Sequence, residues 1–87
     1  MGNFYFHLRY GDELVTDTEG ANLPDIAAAR QEALESAREI LADAIRSGRQ
    51  NIPEAVVVAD ESGLIIDSLR LAAVLPRLLR VMIAREP

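Results

Sequence analysis

The residues best suited to chemistry lie near the amino-terminal end of the sequence, and His7 is the first of them. It is the only histidine of the chain. Imidazole groups exchange protons near neutral pH, so His7 could act as a general base. A general base needs a nucleophile or an oriented water, but the sequence contains no Gly-x-Ser-x-Gly motif and no cysteine. The other interpretation is structural: His7 hydrogen-bonds to a neighbour such as Thr16.

The densest group of acids follows directly and offers the oxygen ligands that hard cations favour. The spacing lacks the ligand positions and the terminal glutamate of an EF-hand loop. These acids are therefore interpreted mainly as solvated turn and loop residues, with Asp17 closing its own loop through an Asx-turn. With His7, the weak candidates for a ligand or metal site are Asp12, Asp17 and Glu19, and the range 12–19 contains all three.

No cofactor is expected from the glycines. Gly11, Gly20, Gly48 and Gly63 occur singly, and none belongs to a Gly-x-Gly-x-x-Gly or phosphate-loop motif. They are interpreted as turn and cap residues.

A long helix over residues 25–47 is the element that must position these side chains. Its apolar residues recur in steps of three and four, which is typical of one buried helical face. Asp25 suits the N-cap and Gly48 suits the position just after the carboxyl end. Because the alanines of this face bury little area, the larger residues are expected to provide most of its burial energy. They are Ile26, Leu34, Ile40, Leu41 and Ile45.

Strands are predicted on both sides of the helix. Residues 3–10 alternate in polarity, a two-residue type II′ turn at Gly11-Asp12 follows, and residues 13–16 return with Leu8 opposite Val15. Residues 17–22 are interpreted as a polar loop. After the helix, residues 54–59 and 64–69 form a second hairpin, with Gly63 at a position that needs a positive φ. The predicted fold is α+β, with the order β-β-α-β-β and one long helix covering an antiparallel sheet.

The predicted α+β domain spans residues 1–69, and a second apolar stripe follows it. Its members fit one face of a C-terminal amphipathic helix in residues 70–87, with arginines opposite and Pro76 either kinking that helix or starting a new one. Since the first helix should already cover much of the sheet, the stripe needs another surface. Self-association is therefore assigned to Leu71, Val74, Leu75, Leu78, Leu79, Met82 and Ile83.

Charge and hydropathy limit the partners. Residues 1–69 contain thirteen acids and five arginines, whereas residues 70–87 contain four arginines and one acid. An acidic body disfavours nucleic-acid binding, which depends on cationic contacts to phosphate. No apolar run reaches the ~18 residues of a membrane span, and residues 1–3 lead into a strand rather than a signal peptide. We therefore expect a cytoplasmic homodimer, with packing of the stripe within the chain, on another protein or at a membrane surface as alternatives.

The first half of the chain resembles an uncharacterised family of small bacterial domains of unknown function, of a type common in rhizobia. The residues that carry the resemblance are Tyr5-Phe6-His7-Leu8-Arg9, Gly11-Asp12, Asp17 with Glu19-Gly20, Leu23-Pro24-Asp25, Ala28-Ala29-Arg30, Glu32-Ala33-Leu34, and Asp60 with Gly63. The likeness covers about residues 4–69. The resemblance implies no activity, ligand or catalytic residue.

The expected function is a small non-enzymatic interaction or regulatory module that self-associates. The alternative is a ligand-binding or metal-binding domain, or a small enzyme, that uses His7 and the acids of residues 12–19.

Overall fold

The structure, a computed structural model, describes residues 2–76; Met1 and residues 77–87 lie outside this range. Along the chain, three strands precede one long helix and two follow it, and a short 3-10 helix comes after the last strand. The elements are β1 (Gly2–Tyr10), β2 (Glu13–Val15), β3 (Ala21–Leu23), α1 (Ile26–Ser47), β4 (Ala55–Ala59), β5 (Ile65–Arg70) and the 3-10 helix (Leu71–Val74). The α+β class and the predicted order of the two hairpins around α1 are confirmed.

All strand pairs of the sheet are antiparallel, and the order is β2-β1-β4-β5. The predicted opposition of Leu8 and Val15 is confirmed. Gly11 has a φ of 61°, and Asp12 does not have a positive φ, which excludes a type I′ turn and agrees with type II′. β4 therefore lies between β1 and β5, although it is the fourth strand in the sequence.

The structure has one strand more than the sequence predicts. Residues 17–22 were expected to form a polar loop, but Ala21–Leu23 forms β3, which pairs antiparallel to the start of β1 with Phe4 opposite Ala21. β3 is only three residues long and includes the exposed Asn22. The local pattern could not reveal this strand, because its partner β1 lies far away in the sequence.

The predicted ends of α1 are confirmed. Asp25 is the N-cap, and its carboxylate accepts a hydrogen bond of 2.8 Å from the amide of Ala28. Gly48 is the C-cap, in the left-handed conformation, and donates its amide to the carbonyl of Ala44. Both caps satisfy backbone groups that a helix end leaves without a partner.

The small residues of α1 make the closest contact with the sheet. Ala29, Ala33 and Ala37 are buried against Val56 and Val58 of β4, in a core that also includes Phe4. Of the five larger apolar residues expected to provide most of the burial energy of α1, the two at its ends contribute little, since Ile26 is 45% and Ile45 is 76% exposed. A helix of 22 residues extends about 33 Å, whereas a strand of five residues extends about 17 Å. The ends of α1 therefore project past the strands that it covers.

The first residue after β5, Leu71, belongs to the hydrophobic core. Leu71 is only 2% exposed and packs in the core, and its amide donates to the carbonyl of Glu54. The predicted α-helical stripe does not begin here, because Leu71–Val74 forms a 3-10 helix and Leu75 is extended, with a ψ of 145°. The residue before a proline is disfavoured from helical conformation, and Pro76 follows. Within residues 2–76, no helix has the length and hydropathy that a membrane crossing needs.

Candidate functional site

The carboxylate of Asp17 joins the β2–β3 loop to the middle of β1. Its Oδ2 accepts a hydrogen bond of 3.1 Å from the amide of Phe6, and its Oδ1 accepts from the amides of Glu19 and Gly20 at 3.1 and 3.2 Å. β1 pairs with β3 through residues 2–4 and with β2 through residues 8–10. Asp17 therefore satisfies a backbone donor of β1 that lies between the two segments paired with these short strands.

His7 holds the same loop from the other direction. Its Nδ1 accepts a hydrogen bond of 3.0 Å from the amide of Asp17, so the partner lies one residue beyond Thr16, the neighbour named from the sequence. Together with the Asp17 carboxylate, this bond forms a reciprocal connection: the side chain of each residue binds backbone near the other. The structure thus brings His7 and Asp17 together.

This geometry limits the chemistry that His7 can perform. A neutral imidazole has one N–H donor and one acceptor nitrogen. Because Nδ1 accepts the Asp17 amide, the proton of the neutral ring lies on Nε2, and no lone pair is left for a substrate. His7 could act as a base only after releasing the loop, so the geometry favours the structural interpretation.

Hydrogen bonds keep the Asp17 carboxyl group ionised. Partial burial raises its pKa, but the hydrogen bonds from the amides of Phe6, Glu19 and Gly20, with a smaller electrostatic contribution from the adjacent His7, lower the pKa below the ordinary value of 3.8. Backbone N–H groups bind the carboxylate and offer much less to the protonated acid. Asp17 therefore connects the loop to β1 as an anion.

We expect the free energy of unfolding to decrease at acidic pH, and part of this decrease to depend on Asp17. Because its pKa is lower in the folded chain than in the unfolded one, its contribution is fully present above about pH 5 and is lost as the pH falls below about 4 through the folded pKa. Urea unfolding of the wild type and of Asp17→Asn across this range measures it. The difference between the two free energies of unfolding should shrink as the pH falls; a constant difference would contradict the assignment.

Asp12 and Glu19 do not join this pair. Asp12 lies exposed in the β1–β2 turn, and the exposed Glu19 contributes its backbone amide to the Asp17 bond. Across residues 2–76 the structure contains no group of three histidine or acidic side chains placed to hold a metal ion. The turn before β5 uses Asp60 in a similar structural way, since its Oδ1 accepts from the hydroxyl and the amide of Ser62 and from the amide of Leu64.

A second candidate site is an apolar groove between α1 and β1. α1 lies closest to β4, and it also packs on β5, β3 and the 3-10 helix. The helix-facing side of β1 is left partly open, with two adjoining cavities of about 230 and 260 Å³ that share Leu8, Glu39 and Ile40. We call this surface the β1 groove; its walls are lined by Phe6, Leu8, Tyr10, Ile40, Val56, Ile52 and Pro53, and its polar edge by Ser36, Glu39, Asp43, Arg49 and Asn51.

The polar edge of the β1 groove carries two acids, Glu39 and Asp43, and one arginine, Arg49. Glu39 is exposed, and among residues 2–76 it forms no ion pair. Asp43 contacts Arg49 at 3.5 Å and Arg46 at 3.9 Å, but these pairs are largely exposed and each contributes at most about 1 kcal/mol. The groove therefore offers apolar walls beside carboxylates that are only weakly engaged.

The residues assigned to self-association from the sequence divide into two groups. Leu71 is buried in the core of its own chain, while Val74 and Leu75 are half-buried. Leu75 lines a further apolar cavity of about 320 Å³, which adjoins the β1 groove at Ile52 and Pro53. Leu78, Leu79, Met82 and Ile83 lie outside the described residues.

Sequence reasoning did not identify the β1 groove. Tyr10, Ile52 and Pro53 belong to segments read as a strand end and a connector, and nothing in their local pattern marks them as a site. The surplus of apolar residues was the only available signal, and it does not say which part of the sheet α1 leaves open.

A model of the family described as Domain of unknown function (DUF6894) matches residues 3–72, which is most of the chain. Neither a curated protein nor a solved structure matches this chain.

Proposed function

We propose that this chain, which belongs to the DUF6894 family over residues 3–72, is a non-enzymatic interaction or regulatory module that self-associates. The observation that supports this proposal is the β1 groove. Leu8 and Ile40 are only half-buried there, although they pack against the core. Apolar area that stays in water loses about 25 cal/mol per Å², so a partner that covers this surface stabilises the protein.

The occupant that we propose is the C-terminal segment of a second copy. Residues 77–87 contain Leu78, Leu79, Met82 and Ile83 with three arginines and one acid. This composition complements apolar walls edged by Glu39 and Asp43. Opposite charges at the edge of an interface set orientation and partner choice, while apolar burial provides most of the affinity.

Two-fold symmetry would double the area that such an interface buries. Stable interfaces bury about 1,200–2,000 Å² in total, more than one short segment provides. In a two-fold dimer each copy inserts its segment into the groove of the other, so every contact occurs twice. The segment starts close to a groove of this kind, because Leu75 lines a cavity that adjoins the groove of its own chain at Ile52 and Pro53.

The test is the mass of the protein in solution, measured by sedimentation equilibrium between about 1 and 200 μM. We expect the dimer mass at the upper concentrations, and a monomer throughout would refute the proposal. The truncated variant should end at Pro76, because a deletion from Leu71 would remove a core residue. A truncated chain that remains a dimer would place the interface elsewhere.

Charge reversal at the edge of the groove provides a matched pair of variants. Glu39→Arg faces the proposed arginine-rich occupant, whereas Glu32→Arg changes another exposed glutamate of α1 outside the groove. We expect Glu39→Arg to weaken dimerisation about tenfold and Glu32→Arg to leave it nearly unchanged. Equal effects would show that only net charge matters. A monomeric mass of the wild type, with residues 77–87 protected from hydrogen exchange, would instead show that the segment packs within its own chain.

A further inference from the structure

The sheet face opposite α1 carries two arginines that flank one small residue. Arg9 of β1 and Arg70 of β5 are both cross-strand partners of Ala55 in β4. Their backbones are thus two strand spacings apart, about 10 Å. Cross-strand partners point to the same side of a sheet, and the alanine between them fills little of the space above β4.

A cavity occupies that space. It has a volume of about 480 Å³ and is lined by Arg9, Glu54, Ala55, Ser68 and Arg70. Ser68 follows the same face of β5 two residues before Arg70, and it contributes a hydroxyl group that can donate a hydrogen bond. Two cations and a hydroxyl donor therefore line one hollow on a chain whose net charge is −5.

Neither arginine is engaged elsewhere in the described part of the chain. Within residues 2–76, the ion pairs involve Arg30, Arg46 and Arg49, and neither Arg9 nor Arg70 donates a side-chain hydrogen bond there. Glu54 lines the same cavity but forms no ion pair within 4.0 Å with either guanidinium group. The two cations repel each other across Ala55, and a bound anion would remove that repulsion.

We propose that this cavity binds a single compact oxyanion of the phosphate type. The guanidinium group presents planar pairs of N–H donors that match the oxygens of phosphate. Side chains of about 6 Å on strands about 10 Å apart can converge on one tetrahedral group above Ala55. Glu54 gives the cavity a net charge of only +1, which disfavours an extended polyanion and selects one phosphate group. The site lies on the opposite face of the sheet from the β1 groove, although Glu54 and Arg70 also line the cavity that Leu75 lines.

The test is a titration of the isotope-labelled protein with inorganic phosphate, followed by amide chemical shifts, with sodium chloride at matched ionic strength as the reference. We expect saturable shifts at Arg9, Ala55, Ser68 and Arg70 that chloride does not reproduce. Phosphoserine in a parallel titration distinguishes a phosphate monoester from the free ion. Shifts that rise linearly with concentration, or that chloride reproduces, would overturn the proposal.

Variants confirm which groups bind. Arg9→Gln and Arg70→Gln should each weaken phosphate binding about tenfold, and Arg9→Lys should weaken it less because the charge remains. Arg38→Gln is the matched control, since Arg38 is an exposed arginine of α1 outside the cavity. Unchanged binding in both glutamine variants would refute the site even if the wild type binds phosphate. The dispersion of the amide spectrum shows in each case that the variant is folded.

Discussion

Replacing Asp17 with alanine is expected to lower the free energy of unfolding by about 2–4 kcal/mol. The carboxylate accepts from the amides of Phe6, Glu19 and Gly20, and the variant leaves all three donors without that partner. A hydrogen bond to a charged group contributes about 1.5–3 kcal/mol, but these bonds share one partly exposed acceptor and are not additive. Urea unfolding at neutral pH measures the change.

Asp12→Ala is the matched control, because Asp12 is an exposed acid of the neighbouring turn. Its free energy of unfolding should stay within about 0.5 kcal/mol of the wild type. If Asp17→Ala were equally mild, water would replace the carboxylate at Phe6 without loss, and the loop would not depend on this residue. Amide exchange at Phe6 provides a local check, since it should accelerate in the Asp17 variant.

Replacing Gly20 with alanine is expected to destabilise the fold by about 2–4 kcal/mol, for two reasons. Gly20 has a φ of 70°, which an L-amino acid with a side chain rarely adopts. An added Cβ would also lie 2.8 Å from Cε2 of Tyr5 and 3.0 Å from the carbonyl oxygen of Phe4. The ring of Tyr5 must move, and the pairing of β3 with β1 shifts with it. Thermal and urea unfolding measure the loss.

Gly48→Ala separates the two causes. Gly48 has nearly the same φ, 71°, but an added Cβ would have no neighbouring atom within 4 Å. This variant therefore carries only the backbone strain, about 1–2 kcal/mol. If Gly20→Ala and Gly48→Ala lose equal stability, the contact with Tyr5 has no energetic role, and the close packing of the loop on β1 is not what positions β3.

The parts of the fold that could be predicted are those encoded by neighbouring residues. The ends of α1 follow from Asp25 and Gly48, whose capping roles depend on the adjacent turn. The register of the first hairpin follows from the tight turn after Tyr10, which leaves Leu8 opposite Val15. In each case the deciding interaction spans a few residues, so the local pattern contains the answer.

The sequence identifies the residues of the candidate site one by one, but it does not show that they lie together. The main interpretation of both residues is structural: a bond from His7 to a neighbour such as Thr16, and an Asx-turn that closes the loop of Asp17, with a base and a metal ligand as the weaker alternatives. Their actual role depends on bonds between β1 and a loop ten residues away, which no periodicity reports. β3 was missed for the same reason: its pairing with Gly2–Phe4 depends on how Asp17 and Gly20 turn the chain back.

The β1 groove and the cavity between Arg9 and Arg70 depend on contacts between residues that lie still farther apart in the sequence. The sequence indicates more apolar area than one helix covers, but the alanines of α1 determine that the helix lies over β4 and leaves the β1 groove partly open. The arginines of the opposite face, Arg9 and Arg70, are brought together only because β4 lies between β1 and β5. Such neighbours follow from strand order, which was beyond the sequence.

The position of β4 between β1 and β5 also determines how much of the sheet can form while the chain is being synthesised. β1, β2 and β3 are synthesised first, and β2 and β3 can both pair with β1, but the strand that completes the other side of β1 is made only after the whole of α1. Tyr5 of β1 pairs with Ala59 of β4, so one edge of β1 has no hydrogen-bonding neighbour until β4 has been synthesised. The most deeply buried strand, Ala55–Ala59, is thus made only after α1, and the nascent chain cannot complete its sheet until this strand has emerged.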